Sequence, residues 1–281
     1  MNISSTKEMF AYFGHHKCAT TWLNDIIGQV CKRIGLSIVI IHNSELFNDS
    51  LESIKNNQID FLSYINADIE NVKKLENNFI GFHVVRDPRD IVVSAYYSHL
   101  YSHPVGGGWP ELIEHRKNLQ NSSKDKGLFL EMDFLDNFVF QNLYKWDYRQ
   151  PNVKEIKMED LIKDPNKVLL DVFEFLHIID DYGGPKIQSD YNLMELEDGY
   201  TATNNSPHRI SYKEMLSIIY NNRFSLKANG RKTGEEDVKS HYRKGSSGDW
   251  AHHFNSEHKK YFKEKYNDLL IMLGYENRND W

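Results

Sequence analysis

The chain has 281 residues, of which 40% are hydrophobic and 13% aromatic, with a net charge of −6 and a pI near 6.1. That is enough apolar material for one large core, and residues 1–281 read as a single elaborated domain. Acidic balance excludes a general affinity for polyanions, so neither nucleic acid nor a membrane surface is expected as a partner.

No apolar run is long enough to span a bilayer; the longest candidate, Ile34 to Ile41, is interrupted by Gly35 and Ser37. The opening MNISSTKEMF lacks the basic, apolar and small-residue order of a secretory leader. Only two cysteines occur, Cys18 and Cys31, in no metal-ligand spacing. A cytoplasmic protein without a structural metal is expected.

Met9 to Phe13 reads as a buried strand. From Trp22, apolar residues at Leu23, Ile26, Ile27, Val30 and Ile34 mark a helix that ends near Gly35. Ser37 to Ile41 is a second strand, and Phe79 to Val85 a third that stops at Asp87-Pro88. Ile91, Val92, Ala95 and Leu100 form the next helical stripe. Val153 to Met158 is a further strand. Asp164-Pro165 then supplies a cap and a first-turn proline for a helix through Val168, Leu169, Val172, Phe173 and Leu176. The tail from Ser256 to Leu273 is a last helix, closed by Gly274. Strands alternating with helices predict an α/β fold with a mainly parallel central sheet flanked by helices on both faces. Ligands of such sheets collect beyond the carboxyl ends of the strands.

Three segments carry chemistry. In Gly14-His15-His16-Lys17-Cys18-Ala19-Thr20-Thr21-Trp22 a strand ends, a small-residue turn follows and a helix opens at Thr20. That arrangement directs backbone amides and a helix dipole at one point, which suits a phosphate; alone it also suits a capped helix with a solvated lysine. It is not a Walker A loop, because Lys17 does not directly precede a Ser or Thr. In the second segment Arg86 leaves the third strand and Ser94 lies eight positions on, so that both reach one phosphate. The alternative is that Arg86, Asp87, Arg89 and Asp90 pair among themselves. The third, Arg243-Lys244-Gly245-Ser246-Ser247-Gly248-Asp249-Trp250, sets two cations before glycine turns and reads as an anion clamp or a solvated loop.

Together these segments resemble one family, the sulfotransferases that use 3′-phosphoadenosine-5′-phosphosulfate (PAPS), and within it the cytosolic-type, bacterial-like small-molecule branch. HKCATTW looks like the family's 5′-phosphosulfate loop, Arg86 with Ser94 like its 3′-phosphate site, and RKGSSGDWAHHF like its RKGxxGDWxxxF segment. The resemblance spans Gly14 to Phe254 and implies a P-loop-like sulfotransferase fold. It implies that Lys17 holds the 5′-phosphosulfate and follows charge onto the leaving oxygen. It also implies that Thr20, Thr21 and the amides of Cys18 and Ala19 hold the 5′-phosphate. Arg86, Ser94, Arg243, Lys244 and Gly245 would take the 3′-phosphate, and Trp22 with Tyr212 the adenine. The expected product is adenosine 3′,5′-bisphosphate (PAP), and the reaction needs no metal.

The likeness fails at the position of the family's base. The family's base histidine falls at Asn66, which takes up no proton at neutral pH. Three replacements are open, His42, Glu45 and His99, of which His42 is favoured because it follows the second strand; His15 and His16 are expected to shape the loop. Where the family's dimer segment carries Thr-Val this chain has Asn255-Ser256, which leaves the oligomeric state open. The acceptor is expected to be a small molecule walled by His103 to Trp109 and Leu128 to Phe140; Glu131 and Asp133 would allow a cationic one. Part of Asp180 to Lys239 is expected to form a lid. The rivals are a P-loop kinase and a catalytically degenerate nucleotide binder.

Overall fold

A computed structural model describes residues 9–42, 51, 54, 59–76, 78–106, 109–179 and 209–281. Its centre is a five-stranded sheet of β1 (Met9–Gly14), β2 (Ile38–Ile41), β3 (Phe61–Ile65), β4 (Phe79–Val85) and β5 (Val153–Lys157). The strands lie in the order β2-β3-β1-β4-β5 and every pairing is parallel. The principal helices are α1 (Thr20–Ile34), α2 (Pro88–Tyr97), α3 (Glu111–Gln120), α4 (Lys124–Leu135), α5 (Pro165–Phe175), α6 (Tyr212–Asn221) and α7 (Ser256–Met272).

The period of two in β1 divides the interior. Phe10 and Tyr12 face a core shared with α1, α2, α4, α5 and α7, whereas Met9, Ala11 and Phe13 face a second core with Ile69, Val72, Leu75 and Trp146. Both faces of the sheet are therefore covered, as a parallel sheet requires. Each expected strand is present, with small shifts at the ends: β2 begins at Ile38, and Met158 opens a helix rather than closing β5. The stripe through Leu100 is α2 followed by a π-helical turn, Ser98–Ser102. Asp164 caps α5 by accepting from the Lys167 amide at 3.0 Å.

One central strand was not anticipated. β3 carries Ser63 in its middle, fully buried, where its hydroxyl donates to Asn24 Oδ1 of α1 at 2.6 Å. A polar residue inside a strand is tolerated there because a partner on the covering helix satisfies it.

Candidate active site

β1 has β3 on one side and β4 on the other, so the chain leaves β1 in both directions across the sheet. A crevice opens at the carboxyl end of such a strand. A cleft of about 1270 Å³ lies there, above the roughly 300–1,000 Å³ of ordinary small-ligand pockets. Its wall includes Lys17, Ala19, Thr20, Thr21, Trp22, His42, Arg86, Ser94, Arg243, Lys244 and Gly245. Three segments distant in sequence thus meet at one site.

The turn after β1 is tightly wound. Lys17 (φ 66°) and Ala19 (φ 62°) are both left-handed, on either side of Cys18. Alternating hands turn successive amides toward one concave point, and each non-glycine residue held this way costs roughly 1–2 kcal/mol. Strain of this kind gathers at ligand sites. Gly14 permits the close approach, since a Cβ there would lie 2.6 Å from the Tyr12 hydroxyl and 2.8 Å from Thr20 Cγ2. α1 begins with no side-chain cap, leaving its first amides to face the cleft with the positive end of the helix dipole. Cys18 is used differently from expectation. Its amide donates to the His15 carbonyl at 3.1 Å within the turn, and its thiol is buried and pushed up to about 12 by that burial.

Arg86 is 5% exposed; its Nη1 donates to the Lys17 carbonyl at 3.0 Å, which ties the end of β4 to the loop. Its Nε is buried with no hydrogen-bond partner among the described residues. The self-pairing foreseen around it is only half realised. Arg89 does pair with Asp87 and with Glu276, flanked by the rings of Trp250 (3.9 Å) and Trp281 (4.4 Å). Asp90 instead reaches across to accept from the Gly248 amide at 2.6 Å and the Trp250 amide at 2.9 Å, anchoring the Arg243 loop beside α2. On that loop Arg243 and Lys244 share the carboxylate of Asp249, which His253 also approaches at 3.2 Å. Burial acts against that carboxylate's charge, yet His253, Lys244 and Arg243 hold it well below the usual range. Gly245 (φ 67°) runs flat against Phe224, where a Cβ would meet the ring at 2.6 Å.

Tyr212 does not reach the wall. It opens α6 half-buried against the core, behind the capping box of Ser211 and Glu214. Phe224 and Tyr220 stand on the wall instead, and the Trp22 indole donates to the Asn222 carbonyl at 2.7 Å, joining the start of α1 to the turn before Phe224. The signal for Phe224 was a lone ring in the polar run Asn221-Asn222-Arg223-Phe224-Ser225.

The sulfotransferase-domain family model matches residues 12–274. The chain belongs to the sulfotransferase family. No curated protein matches its sequence. Among solved structures it is similar to mouse sulfotransferase SULT7A1 complexed with PAP, at 18% identity and a TM-score of 0.54, over 94% of this chain and 85% of that one. It is similar also to retinol dehydratase in complex with androsterone and inactive cofactor PAP, at 13% identity and a TM-score of 0.51, over 93% and 80%. These likenesses show the fold.

On the far side of this sulfotransferase's cleft, His42 is an exposed wall residue whose carbonyl accepts from Asn66 Nδ2 at 3.1 Å. Asn66 is left-handed (φ 62°), and its Oδ1 is buried without a partner among the described residues. Trp109 and Phe138 line the same end. Glu131 and Asp133 do not: Glu131 is buried between His99 and His115, and Asp133 pairs with Lys265 at 2.8 Å on the surface. They therefore give no support to a cationic acceptor. Glu45 and residues 180–208 of the expected lid lie outside the described residues. Among the described residues, no helix of the sulfotransferase is long and apolar enough to cross a membrane.

Proposed function

We propose that the protein transfers a sulfuryl group from PAPS to a hydroxyl or amine of a small-molecule acceptor, by metal-independent in-line transfer. The observation that carries this reading is a single cleft walled by Lys17, Arg86, Arg243 and Lys244 from three distant segments, which we assign to two phosphate stations. Lys17 with the uncapped start of α1 forms the first, and Arg86, Ser94, Arg243 and Lys244 form the second. A nucleotide with phosphate groups at both its 3′ and 5′ positions matches two stations, with its base against Trp22 and Phe224. The residues fit such a group: Arg86 Nε is a buried donor without a partner among the described residues, and the flat Gly245 backbone beside Phe224 leaves room a side chain would fill.

PAPS, when bound, supplies an activated sulfuryl group that departs through a loose in-line transition state, as in phosphoryl transfer. Lys17 neutralises charge on the leaving oxygen, while the amides around Ala19, Thr20 and Thr21 hold the 5′-phosphate. The cleft volume leaves room for an acceptor between Lys17 and the Trp109–Phe138 end.

Calorimetric titration without metal tests the reading. Micromolar or tighter binding of PAP is expected; binding of ATP only with Mg²⁺ would replace it with the kinase reading.

A dependence on pH follows. Burial, with Arg86 next in weight, lowers the Lys17 ammonium from 10.5 to about 8. The cation is present below that value and is lost above it, whereas a bound anion favours it. PAP affinity should hold steady from pH 7 to 7.5, then fall above 8 to a total loss of about tenfold. Titrations at pH 7 and 9.5 check this; equal affinities would remove Lys17 from the phosphate site.

A further inference from the structure

We propose that His16 is the general base that takes the acceptor's proton, and that His99 and Glu131 hold it in its working tautomer. This rests on the sulfuryl-transfer reading above.

His16 precedes Lys17 in the loop and lines the cleft, with its ring 5.4 Å from Trp109 and 6.1 Å from Phe138. It stands where the nucleotide loop meets the aromatic end. Its Nε2 lies 2.9 Å from His99 Nε2, and His99 Nδ1 lies 2.8 Å from Glu131 Oε1. Glu131 Oε2 pairs with His115 Nε2 at 2.9 Å. His99 and Glu131 are wholly buried.

The hydrogen-bond directions follow from the carboxylate. Burial raises the Glu131 carboxyl, but His99 and His115 outweigh it and hold the group below the usual range, so it accepts from both rings. In its neutral form His99 then carries its proton on Nδ1 and presents a lone pair at Nε2. His16 must then donate through Nε2–H, which leaves the lone pair of Nδ1 as its proton acceptor. The arrangement is the carboxylate–imidazole logic of a hydrolytic triad with a second imidazole inserted.

The step balances. As the acceptor oxygen or nitrogen bonds to sulfur, the S–O bond to the 5′-phosphate breaks and its electron pair stays on that phosphate. The acceptor's proton moves to His16 Nδ1, and the new imidazolium leans on His99 and, through it, on the Glu131 charge.

A second chain of the same kind serves as a control. His15 Nε2 meets His83 Nε2 at 2.8 Å, and His83 Nδ1 meets Glu155 Oε2 at 2.6 Å. His15 and His83 are both wholly buried, His83 stacked on Trp146 and His15 edge-on to it, and neither lines the cleft. The paired histidines of the loop thus point to opposite sides, and only one meets a substrate.

The groups facing His16 are Lys17 on its own loop, His99 and His103 from the turn after α2, and His241 from the loop before Arg243. Glu131 and His115 stand behind His99, and Arg116 of α3 donates to the carbonyls of His99 and His103. Burial first, then His99 and Lys17, keep His16 well below its ordinary value, so it is neutral at pH 7.

Measurements on the full chain decide the matter. In ¹⁵N-histidine NMR with PAP bound, His16 should be the neutral Nε2–H tautomer, a readout that needs no acceptor. Calorimetry should give PAP affinities within threefold of wild type for His16→Gln, Glu131→Gln and His15→Gln. Release of PAP from PAPS, with water as the acceptor, should fall 100-fold or more in His16→Gln and stay within threefold in His15→Gln. In Glu131→Gln the acid limb of the pH profile should move to lower pH, because the imidazolium has lost its carboxylate. An Nδ1–H tautomer at His16, turnover of His16→Gln within threefold of wild type, or a larger loss in His42→Gln or His103→Gln would overturn the proposal. So would a stoichiometric metal in the purified protein that His99→Gln removes. Failure of wild type to bind PAP would instead sink the sulfuryl-transfer reading itself.

Discussion

Replacing Lys17 by Met should lower sulfuryl transfer by about 10²–10³-fold while PAP affinity falls no more than roughly tenfold. The side chain leaves a backbone held left-handed, its carbonyl secured by Arg86 at 3.0 Å, between the end of β1 and the start of α1. Its side chain lines the cleft within reach of the Arg86 and Arg243 charges, and its own charge matters most when the leaving oxygen becomes anionic. Met keeps the length and the apolar stem and removes only the charge. Ground-state binding survives on the amides of α1 and on the second station, so the loss should lie mainly in the rate. Single-turnover release of labelled sulfate from PAPS, beside calorimetry with PAP, separates the two. A variant that retained a tenth of the wild-type rate would place the leaving-group charge elsewhere.

Arg86→Ala should weaken PAP binding by about 100-fold, in keeping with the roughly 1.5–3 kcal/mol of a charge-assisted hydrogen bond. The guanidinium is nearly buried and bonds the Lys17 carbonyl, while Nε has no partner among the described residues. A donor left waiting in that position has been desolvated in advance, so an incoming phosphate meets little further cost. Titration with both PAP and AMP distinguishes the role. A 3′-phosphate contact predicts a large loss for PAP and a small one for AMP, whereas equal losses would mean that Arg86 serves the loop alone. Arg86→Lys should rescue little, because an ammonium cannot bond the carbonyl and a phosphate in the same fork geometry.

Much of this architecture was legible because local physics and the final structure agree. Met9 to Phe13 is a buried strand, Asp87-Pro88 does end the strand before it, and Asp164 before Pro165 does open a helix with its side chain on a first-turn amide. The loop after β1 and the glycine turn after Lys244 were visible for the same reason. A strand end, a turn and a helix start lie within a dozen residues, and their chemistry is written in consecutive side chains.

The remainder depended on contacts between distant segments. β3 escaped notice because Ser63 interrupts its apolar run, and only Asn24 of α1, 39 positions away, satisfies it. Tyr212 and Phe224 are both aromatic residues in the right stretch; the packing of α6 on the core turns one inward and leaves the other on the cleft. The cations of Arg243 and Lys244 gave no hint that Asp249 would occupy them or that Asp90 would hold their loop against α2. His16 shows the division most plainly. The sequence by itself determined four of the five strands, the turn between β1 and α1, the lysine and arginines, and the lack of a histidine at Asn66. Only the tertiary structure brought His99 and Glu131, 83 and 115 positions away, behind His16 and turned His15 to the opposite side. Propensity and capping act over a few residues, whereas burial, orientation and proton position are set by whatever the fold packs alongside.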